Sequence, residues 1–152
     1  NGNLYRNIEW PVVVMLAAMI PVGQALETSG ISLNIANFIS ASTAGMALPW
    51  LILMILVITM FVSDIVNNAA TAVIMAPIAA NLAIQVGQPV EPFLMAVAVG
   101  ASCAFLSPIG HQCNTLVMAP GNYKFGDYWR LGLPLECVIV AISIPMILFV
   151  WT

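Results

Sequence analysis

Residues 61–73 read FVSDIVNNAATAV, which places a serine, an aspartate and two adjacent asparagines in the middle of a long apolar stretch. Apolar arms flank this polar segment over residues 48–62 and 69–86. A single helix over residues 48–86 would be about 58 Å long, nearly twice the hydrocarbon core of a bilayer. Each arm alone is about 22–27 Å long, so it reaches into a membrane without comfortably crossing it. The stretch therefore predicts a re-entrant helical hairpin whose polar tip lies at membrane depth.

The composition is that of an integral membrane protein. Of the 152 residues, 62% are hydrophobic and 6% are charged, whereas soluble domains carry about 25% charged residues. No basic patch suggests nucleic acid, so we expect the lipid bilayer as the main surroundings of the chain. The odd number of cysteines, Cys103, Cys113 and Cys137, argues against a disulfide framework. Because residue 1 is not Met and no signal peptide is present, we expect the sequence to be a piece of a longer chain.

Four further helical elements are predicted around the hairpin, which gives an all-α membrane fold with about three transmembrane helices. They are a spanning helix over 8–26, a short polar helix over 31–42, a broken helix over 92–120 and a last spanning helix over 128–151. The broken helix contains SPIGHQCN, in which Pro108 and Gly110 interrupt the hydrogen bonds of the helix. In hydrocarbon the freed backbone groups must line a protein-enclosed or water-filled cavity.

The basic residues favour a hairpin that returns to its own side of the membrane. Arg6 precedes the first predicted span, and Lys124 and Arg130 lie between the third and fourth elements. If the hairpin does not cross the membrane, all three basic residues fall on one face, which the positive-inside rule makes cytoplasmic. If the hairpin crossed twice, Arg6 would be separated from the other two.

The two polar interruptions, SDIVNN and SPIGHQCN, are the candidate functional site. Each ends in an asparagine that precedes a new apolar helix, so Asn68 and Asn114 are predicted to cap two half-helices. The N-terminus of a helix presents free N–H groups and a partial positive charge, which suit an anion. Facing discontinuous helices are the usual midplane binding site of a secondary transporter.

The same interruptions offer hard oxygen ligands for a small cation. These are the side-chain oxygens of Ser63, Asn67 and Asn68 and the carbonyls near Val66 and Gly110. Neutral amide, hydroxyl and carbonyl oxygens suit Na⁺ better than Zn²⁺, which prefers His, Cys and carboxylate. Sodium is therefore the expected coupling ion, and no organic cofactor is expected.

Structural roles compete with these functional ones. Membrane-embedded Asn and Ser can simply join helices by hydrogen bonds, although two polar clusters beside helix breaks favour a binding site. Asp64 is the only acid deep in an apolar run, and it can ligate a cation, carry a proton or pair within the scaffold. His111 can be a hydrogen-bonded structural residue or can line the substrate path.

Four segments resemble the second half of the divalent anion:sodium symporters, the sodium/sulfate and sodium/dicarboxylate carriers. They are LAAMIPVGQALETSG (16–30), SDIVNNAATAVIMAPIA (63–79), GASCAFLSPIGHQCNTLVMAPG (100–121) and FGDYWRLGLPL (125–135). The third segment is the most specific, because its pattern xASCAFxxPxxxxxN is closely similar to that of the family. The resemblance implies an elevator-type transporter of two inverted repeats, usually homodimeric, of which this chain is the second repeat.

The resemblance also implies roles for individual residues. It maps a sodium site onto four residues: Ser63, the Val66 carbonyl, Asn68 and the Gly110 carbonyl. It places the substrate against Asn67, Asn68 and Ala69, with His111, Gln112, Cys113 and Asn114 nearby.

Two departures from the family pattern bear on the substrate. The family has Ser-Asn-Thr at each hairpin tip, and this chain has Asn67-Asn68-Ala69. Dicarboxylate carriers tend to have Thr-Pro-Pro-Asn where this chain has His-Gln-Cys-Asn at residues 111–114. The GHQxNTLV wording is similar to that of a subgroup of sulfate or anion permeases.

The sequence thus predicts a fragment of a secondary transporter, and not an enzyme, that couples sodium influx to uptake of sulfate or a di- or tricarboxylate. We expect it in a bacterial inner membrane, paired with a missing first repeat. The alternative is a sodium/proton antiporter or arsenite-type efflux permease of the same superfamily, in which Asp64 cycles protons. A remote alternative is an intramembrane serine hydrolase with Ser102 or Ser107 paired to His111.

Overall fold

The computed structural model describes residues 10–43, 45–108 and 110–151, without the side chains of residues 10–12, 15, 16 and 112. It contains the helices α1 (Trp10–Thr28), α2 (Ile31–Ser42), α3 (Leu48–Ile65), α4 (Asn68–Gln85), α5 (Val90–Ala101), α6 (Gln112–Met118) and α7 (Tyr128–Trp151). A 3₁₀ turn, Phe125–Asp127, leads into α7. No strand occurs in the described ranges, which confirms the all-α fold. Residues 8 and 9 of the first predicted helix lie outside the described residues.

The chain is an integral membrane protein. Three helices of the described part are long and apolar enough to cross a membrane: Leu48–Ile65, Asn68–Gln85 and Phe125–Trp151. The last of these has most of its apolar side chains on the surface, with Leu131 and Phe149 77% and 88% exposed. Such a surface is stable only against lipid or further protein.

Helices α3 and α4 form the predicted helical hairpin. Only Val66 and Asn67 join them, both in extended conformation with ψ of 170° and 156°. At the other end Leu48 and Gln85 line the same cavity, so the two helices run antiparallel. The interruption between α3 and α4 is shorter than predicted, because α3 continues through the polar residues to Ile65. It can do so since the polar side chains there find hydrogen-bond partners in another part of the chain.

Helix α5 packs closely on the first arm of the hairpin. A side chain at Gly100 would place its Cβ 2.9 Å from both the Leu56 carbonyl oxygen and Thr59 Cβ, so only glycine allows this approach. The contact is part of the buried core, whose largest apolar members are Ile52, Ile55, Leu56, Leu82, Phe93 and Val97. Because α4 turns into α5 over a few residues, α5 runs antiparallel to α4 and ends at the level of the hairpin tip.

The predicted broken helix consists of α5 and α6, and we call the segment between them the break. Its first half ends earlier than predicted. The apolar stretch continues to Leu106, but α5 ends at Ala101. Ser102 and Cys103 close the helix with N–H bonds of 3.0 Å and 3.1 Å to carbonyls three residues earlier. The N–H of Leu106 then donates to the Asp64 carboxylate at 3.0 Å. Tertiary contacts, not a continued helix, therefore bury Cys103 and Ala104 and partly bury Phe105 and Leu106.

Helix α7 extends past the level of the hairpin tip. The Glu136 carboxyl lies near the Phe105 N–H, which places this part of α7 beside the break. Gly132 makes the approach possible, because a Cβ there would collide with the Phe105 carbonyl. Helix α7 begins eight residues before Glu136, at Tyr128, and these residues carry it roughly 12 Å further. This geometry agrees with a tip that lies at membrane depth.

Candidate functional site

The hairpin tip and the end of α5 bring four oxygen atoms together, which we call the oxygen cluster. Its members are Ser63 Oγ, the Asn68 amide oxygen, and the carbonyl oxygens of Ala101 and Gly110. The Ser63 hydroxyl donates to the Ala101 carbonyl at 2.8 Å and lies 2.9 Å from Asn68 Oδ1. The same corner of the Asn68 amide lies 3.1 Å from the Ala101 carbonyl and 3.3 Å from that of Gly110. The cluster is enclosed, since Ser63 is 0% exposed.

The orientation of the Asn68 amide decides how many hydrogen-bond donors the cluster contains. With the Asn68 oxygen inward, the Ser63 hydroxyl is the one group among these four that can donate. Turning the amide places its nitrogen inward, where it can donate to Ser63 Oγ and to both carbonyls. With the nitrogen inward, these hydrogen bonds satisfy the cluster. With the oxygen inward, neighbouring lone pairs face one another, and the four oxygens would be suitable ligands for a small cation such as Na⁺.

Gly110 is required for the cluster to form. A Cβ at this position would lie 2.7 Å from Ala104 Cβ, 2.9 Å from the Ser63 carbonyl oxygen and 3.2 Å from Asp64 Cα. Two of these three contacts are with the backbone of α3, which cannot rotate away. Glycine thus allows the break to rest directly on the end of α3.

Ser107 fastens the break to the hairpin. Its hydroxyl donates to the Asp64 carbonyl at 2.6 Å and accepts from the Gly110 N–H at 3.2 Å. One side chain therefore satisfies a carbonyl at the end of α3 and holds the residue that supplies a cluster oxygen. The sequence reasoning considered Ser107 only as a hydrolase nucleophile; its place beside Pro108 in a polar break was the available signal for this structural role.

Asn114 does not cap a helix, which corrects the sequence prediction. Helix α6 starts two residues earlier and is capped by His111, whose Nδ1 accepts from the Cys113 N–H at 3.2 Å. The Asn114 amide nitrogen instead donates to the Ala104 and Ser107 carbonyls at 2.9 Å and 3.1 Å. Both of its hydrogens are thereby used inside the protein, so Asn114 has none to offer an anion.

The cap of α4 is also one residue away from the predicted position. Asn67, not Asn68, is the N-cap, and its side-chain oxygen accepts from the Ala70 N–H at 2.8 Å. Asn68 is the first residue of the helix, which leaves its side chain available to the oxygen cluster. The N–H groups of Asn68 and Ala69 have no acceptor within the helix, as at any helix start.

The remaining candidates for substrate contact neighbour the cluster residues Asn68 and Gly110 in sequence. Asn67, His111 and Cys113 are exposed, and Ala69 is partly buried. Gln112 begins α6, and its side chain lies outside the part that the structure describes. Exposed polar side chains thus adjoin, along the chain, the buried members of the oxygen cluster.

Two backbone carbonyls were predicted as cation ligands. The Gly110 carbonyl oxygen lies in the oxygen cluster. The role of the Val66 carbonyl as a ligand stays a prediction. Ala101 was missed, because a backbone carbonyl of an apolar residue gives no signal in the sequence.

Two buried carboxyl groups lie on either side of the break. Asp64 and Glu136 are 7% and 9% exposed. The Asp64 carboxylate accepts a hydrogen bond from the Leu106 N–H, and the Glu136 carboxyl lies near the Phe105 N–H. Asp64 Oδ2 and Glu136 Oε1 are buried without a hydrogen-bond partner among the described residues. Glu136 was not predicted as part of the site, since it lies far along the chain at the start of an ordinary apolar helix.

The serines are not arranged as hydrolase nucleophiles. Ser102 donates to the Ala98 carbonyl of its own helix at 2.8 Å, and Ser107 donates to Asp64. Neither serine hydroxyl bonds to His111, whose Nδ1 is used by the Cys113 N–H. The described part of the chain thus lacks the serine–histidine pair that the hydrolase alternative requires.

Comparison with known proteins gives a consistent result. The chain matches the citrate transporter family in two overlapping stretches, residues 1–100 and 49–152. It is 38% identical over 146 residues to an uncharacterized transporter of Synechocystis sp., covering 96% of this chain and 24% of that protein.

Two relatives have names that include a substrate. A probable sodium/sulfate cotransporter of Chlamydomonas reinhardtii is 33% identical over 140 residues, covering 91% of this chain and 16% of the relative. A sodium-dependent high-affinity dicarboxylate transporter of Caenorhabditis elegans is 30% identical over 141 residues, covering 91% and 25%. The chain therefore spans about a quarter or less of the length of these three relatives.

Proposed function

Because the chain belongs to the citrate transporter family, of the divalent anion:sodium symporter type, we propose that it is part of a secondary active transporter that couples sodium influx to anion uptake. It is a transporter and not an enzyme, as the family and the names of its relatives indicate. The coupling ion and the anion are inferred from the chemistry of the hairpin tip.

Sodium binds in the oxygen cluster, and this cluster is the observation that carries the proposal. Its ligands are Ser63 Oγ, the Asn68 amide oxygen and the carbonyls of Ala101 and Gly110, with the Val66 carbonyl as a further candidate. All are uncharged hard oxygens in an enclosed site, which suits a monovalent cation more than a divalent one. Ser63 and Asn68 of the hairpin, Ala101 at the end of α5 and Gly110 between α5 and α6 supply them, so the site exists only while the tip rests on the break.

The anion binds on the outer side of the tip. The start of α4 offers the N–H groups of Asn68 and Ala69 and the positive end of an 18-residue helix dipole. The candidate side chains for this anion site are those of Asn67, His111 and Cys113, which are exposed, with Gln112 adjacent in sequence. A sodium ion bound beneath the tip lowers the electrostatic free energy that is needed to bind the anion. Sulfate and a di- or tricarboxylate are the candidate substrates, as the names of the relatives suggest.

One specific observation favours proton coupling as a second candidate. Asp64 is buried next to the cluster, and its Oδ2 has no hydrogen-bond partner among the described residues. In a proton-coupled antiporter or efflux permease this oxygen would take up and release the transported proton. We prefer sodium coupling to proton coupling, because both relatives whose names include a substrate also have sodium in their names.

The transporter is completed by protein outside this chain. We propose that an inverted first repeat supplies a second hairpin facing the one described here, and that two such molecules form a homodimer in a bacterial inner membrane. An exposed α7 leaves apolar surface for such contacts.

Uptake by the full-length protein in proteoliposomes tests this function. We expect radiolabelled sulfate, citrate or succinate to accumulate when an inward sodium gradient is imposed, and not when choline replaces sodium. A proton gradient without sodium should have no effect. Uptake driven by protons alone would overturn the sodium assignment, and export of anions would overturn the direction of transport.

A further inference from the structure

We propose that a cavity between α6 and α7 binds one phospholipid whose headgroup carries a phosphate and a primary ammonium group, as in phosphatidylethanolamine. The phosphate contacts Arg130, the ammonium group contacts Asp127, and one acyl chain fills the apolar interior. This inference goes beyond the proposed function, because it concerns a lipid site and does not depend on which ions are transported.

The cavity has an apolar interior that is open on one side. Its volume is about 480 Å³, and α6, α7 and the break all contribute to its walls. The apolar side chains that line it are those of Phe105, Val117, Leu131 and Leu135. Val117 and Leu131 are half or more exposed. In a membrane such an opening faces the acyl chains of the surrounding lipid.

The polar side chains inside the cavity already use their hydrogen atoms within the protein. The Tyr128 hydroxyl donates to the Asn114 carbonyl at 2.7 Å. The Asn114 amide nitrogen donates to the Ala104 and Ser107 carbonyls. A hydrophilic anion in the interior would therefore lose its hydration without gaining these donors, whereas a hydrocarbon chain is stabilised by burial.

The mouth of the cavity lies at the level of the lipid headgroups. Helix α7 begins at Tyr128, roughly 12 Å beyond Glu136 and the hairpin tip. A tip near the bilayer centre places this residue close to the headgroups, since half of the hydrocarbon core is about 15 Å thick. Three neighbouring aromatic residues, Tyr123, Phe125 and Trp129, are more than half exposed. Tyrosine and tryptophan are enriched at this membrane interface.

Two opposite charges lie at the mouth and match the two charges of the headgroup. Arg130 lines the cavity and has no ion pair or hydrogen-bond acceptor among the described residues, which leaves its guanidinium for a phosphate. Asp127 also lines the cavity. Its Oδ2 accepts the Lys124 N–H at 2.9 Å, so Oδ1 is left for a ligand.

This pair of charges discriminates between headgroups. A primary ammonium group donates hydrogen bonds to a carboxylate, whereas the quaternary ammonium of phosphatidylcholine has no hydrogens to donate. The anionic headgroup of phosphatidylglycerol can be held by Arg130 but brings no cation for Asp127, which repels it. The arrangement therefore favours phosphatidylethanolamine over both.

Photolabelling of the full-length protein locates the lipid. The protein is placed in phosphatidylcholine nanodiscs that contain a little phosphatidylethanolamine with a diazirine in one acyl chain, and the labelled residues are identified by mass spectrometry. We expect labels on Val117, Leu131 and Leu135. Unlabelled phosphatidylethanolamine should compete about tenfold more strongly than phosphatidylcholine or phosphatidylglycerol.

Three results of this experiment would overturn the proposal. They are labels spread evenly over all lipid-facing helices, equal competition by the three lipids, and absence of label from the cavity because another part of the protein covers it. Sodium-driven uptake is measured separately, so each of these results leaves the proposed function standing.

Two variants connect the label to the cavity. Val117→Trp fills the interior and should abolish labelling of Leu131 and Leu135. Arg130→Gln removes the partner of the phosphate and should weaken phosphatidylethanolamine binding about tenfold or more. Both residues are exposed, so we expect the melting temperature in detergent to remain that of the wild type. Unchanged labelling in either variant would contradict the assignment.

Lys124→Gln is the matched control for Arg130→Gln. It removes the same charge from the same end of α7, but Lys124 does not line the cavity, so labelling should not change. Equal losses in the two variants would attribute the effect to general attraction by positive charge and overturn the site.

Asp127→Asn tests the recognition of the ammonium group. The asparagine side-chain oxygen can still accept the Lys124 N–H, but the negative charge at the mouth is lost. We expect phosphatidylglycerol to compete at least as well as phosphatidylethanolamine in this variant. An unchanged preference for phosphatidylethanolamine would overturn the role of Asp127.

Discussion

Replacing Gly110 by alanine should both destabilise the protein and weaken sodium binding. The new Cβ would lie 2.7 Å from Ala104 Cβ and 2.9 Å from the Ser63 carbonyl oxygen, both well inside normal contact distance. Since the α3 backbone cannot turn aside, the break must move away from it. Overpacking of this kind costs about 1–3 kcal/mol of folding free energy.

The same movement withdraws the Gly110 carbonyl from the cation. One interaction with a charged group contributes about 1.5–3 kcal/mol, so its loss should weaken sodium binding about 10- to 150-fold. The assay is the sodium concentration that gives half-maximal uptake by the full-length protein, together with its melting temperature in detergent.

Two further glycines separate the effect on the site from the effect on packing. Gly23→Ala places a Cβ 2.9 Å from Val73 Cγ1, in a helix contact away from the cluster, and should affect stability only. Gly126→Ala meets nothing within 4 Å and should affect neither property. If Gly110→Ala retained the sodium affinity of Gly126→Ala, the reasoning about the cluster would be wrong.

Three other substitutions test neighbouring parts of the account. Asp64→Asn should leave the pH dependence of uptake unchanged, whereas an altered pH profile in proteoliposomes would support proton coupling at this residue. Asn67→Ala removes the cap of α4 and should cost about 1 kcal/mol of stability, measured by thermal unfolding, with Asn67→Ser largely restoring it. Asn114→Ala breaks two hydrogen bonds within the break and should cost about 1–3 kcal/mol. Unchanged stability of Asn114→Ala would contradict its structural role.

The hairpin could be predicted from the sequence because it depends on the lengths of the two apolar arms. Apolar arms of 15 and 18 residues around a polar centre leave few alternatives in a bilayer, and the structure confirms the helical hairpin. That Ser63 and Asn68 contact each other could be predicted for a similar reason, since polar groups at membrane depth need a specific partner.

The details of the helix ends could not be predicted, because tertiary contacts decide them. Residues 103–106 are apolar and look like a continued helix, yet the Leu106 N–H bonds to Asp64 of α3. Asn68 and Asn114 are good caps by residue type, but distant carbonyls occupy or face their amides. Local preference describes what a side chain can do, and the fold determines which of the possible partners is near.

Some members of the site leave no trace in the sequence. The Ala101 carbonyl enters the oxygen cluster only because α5 ends there. Glu136 reaches the break because Gly132 lets α7 approach Phe105, a contact between residues that are 27 positions apart. Such contributions depend on the three-dimensional packing of separate helices.

Equilibrium binding of radioactive sodium to the full-length protein is the most direct test of the central claim. We expect saturable binding to the wild type and at least tenfold weaker binding to Asn68→Ala, with both proteins folded and equally monodisperse. Sodium binding of unchanged affinity in Asn68→Ala would contradict the assignment of the oxygen cluster as the cation site.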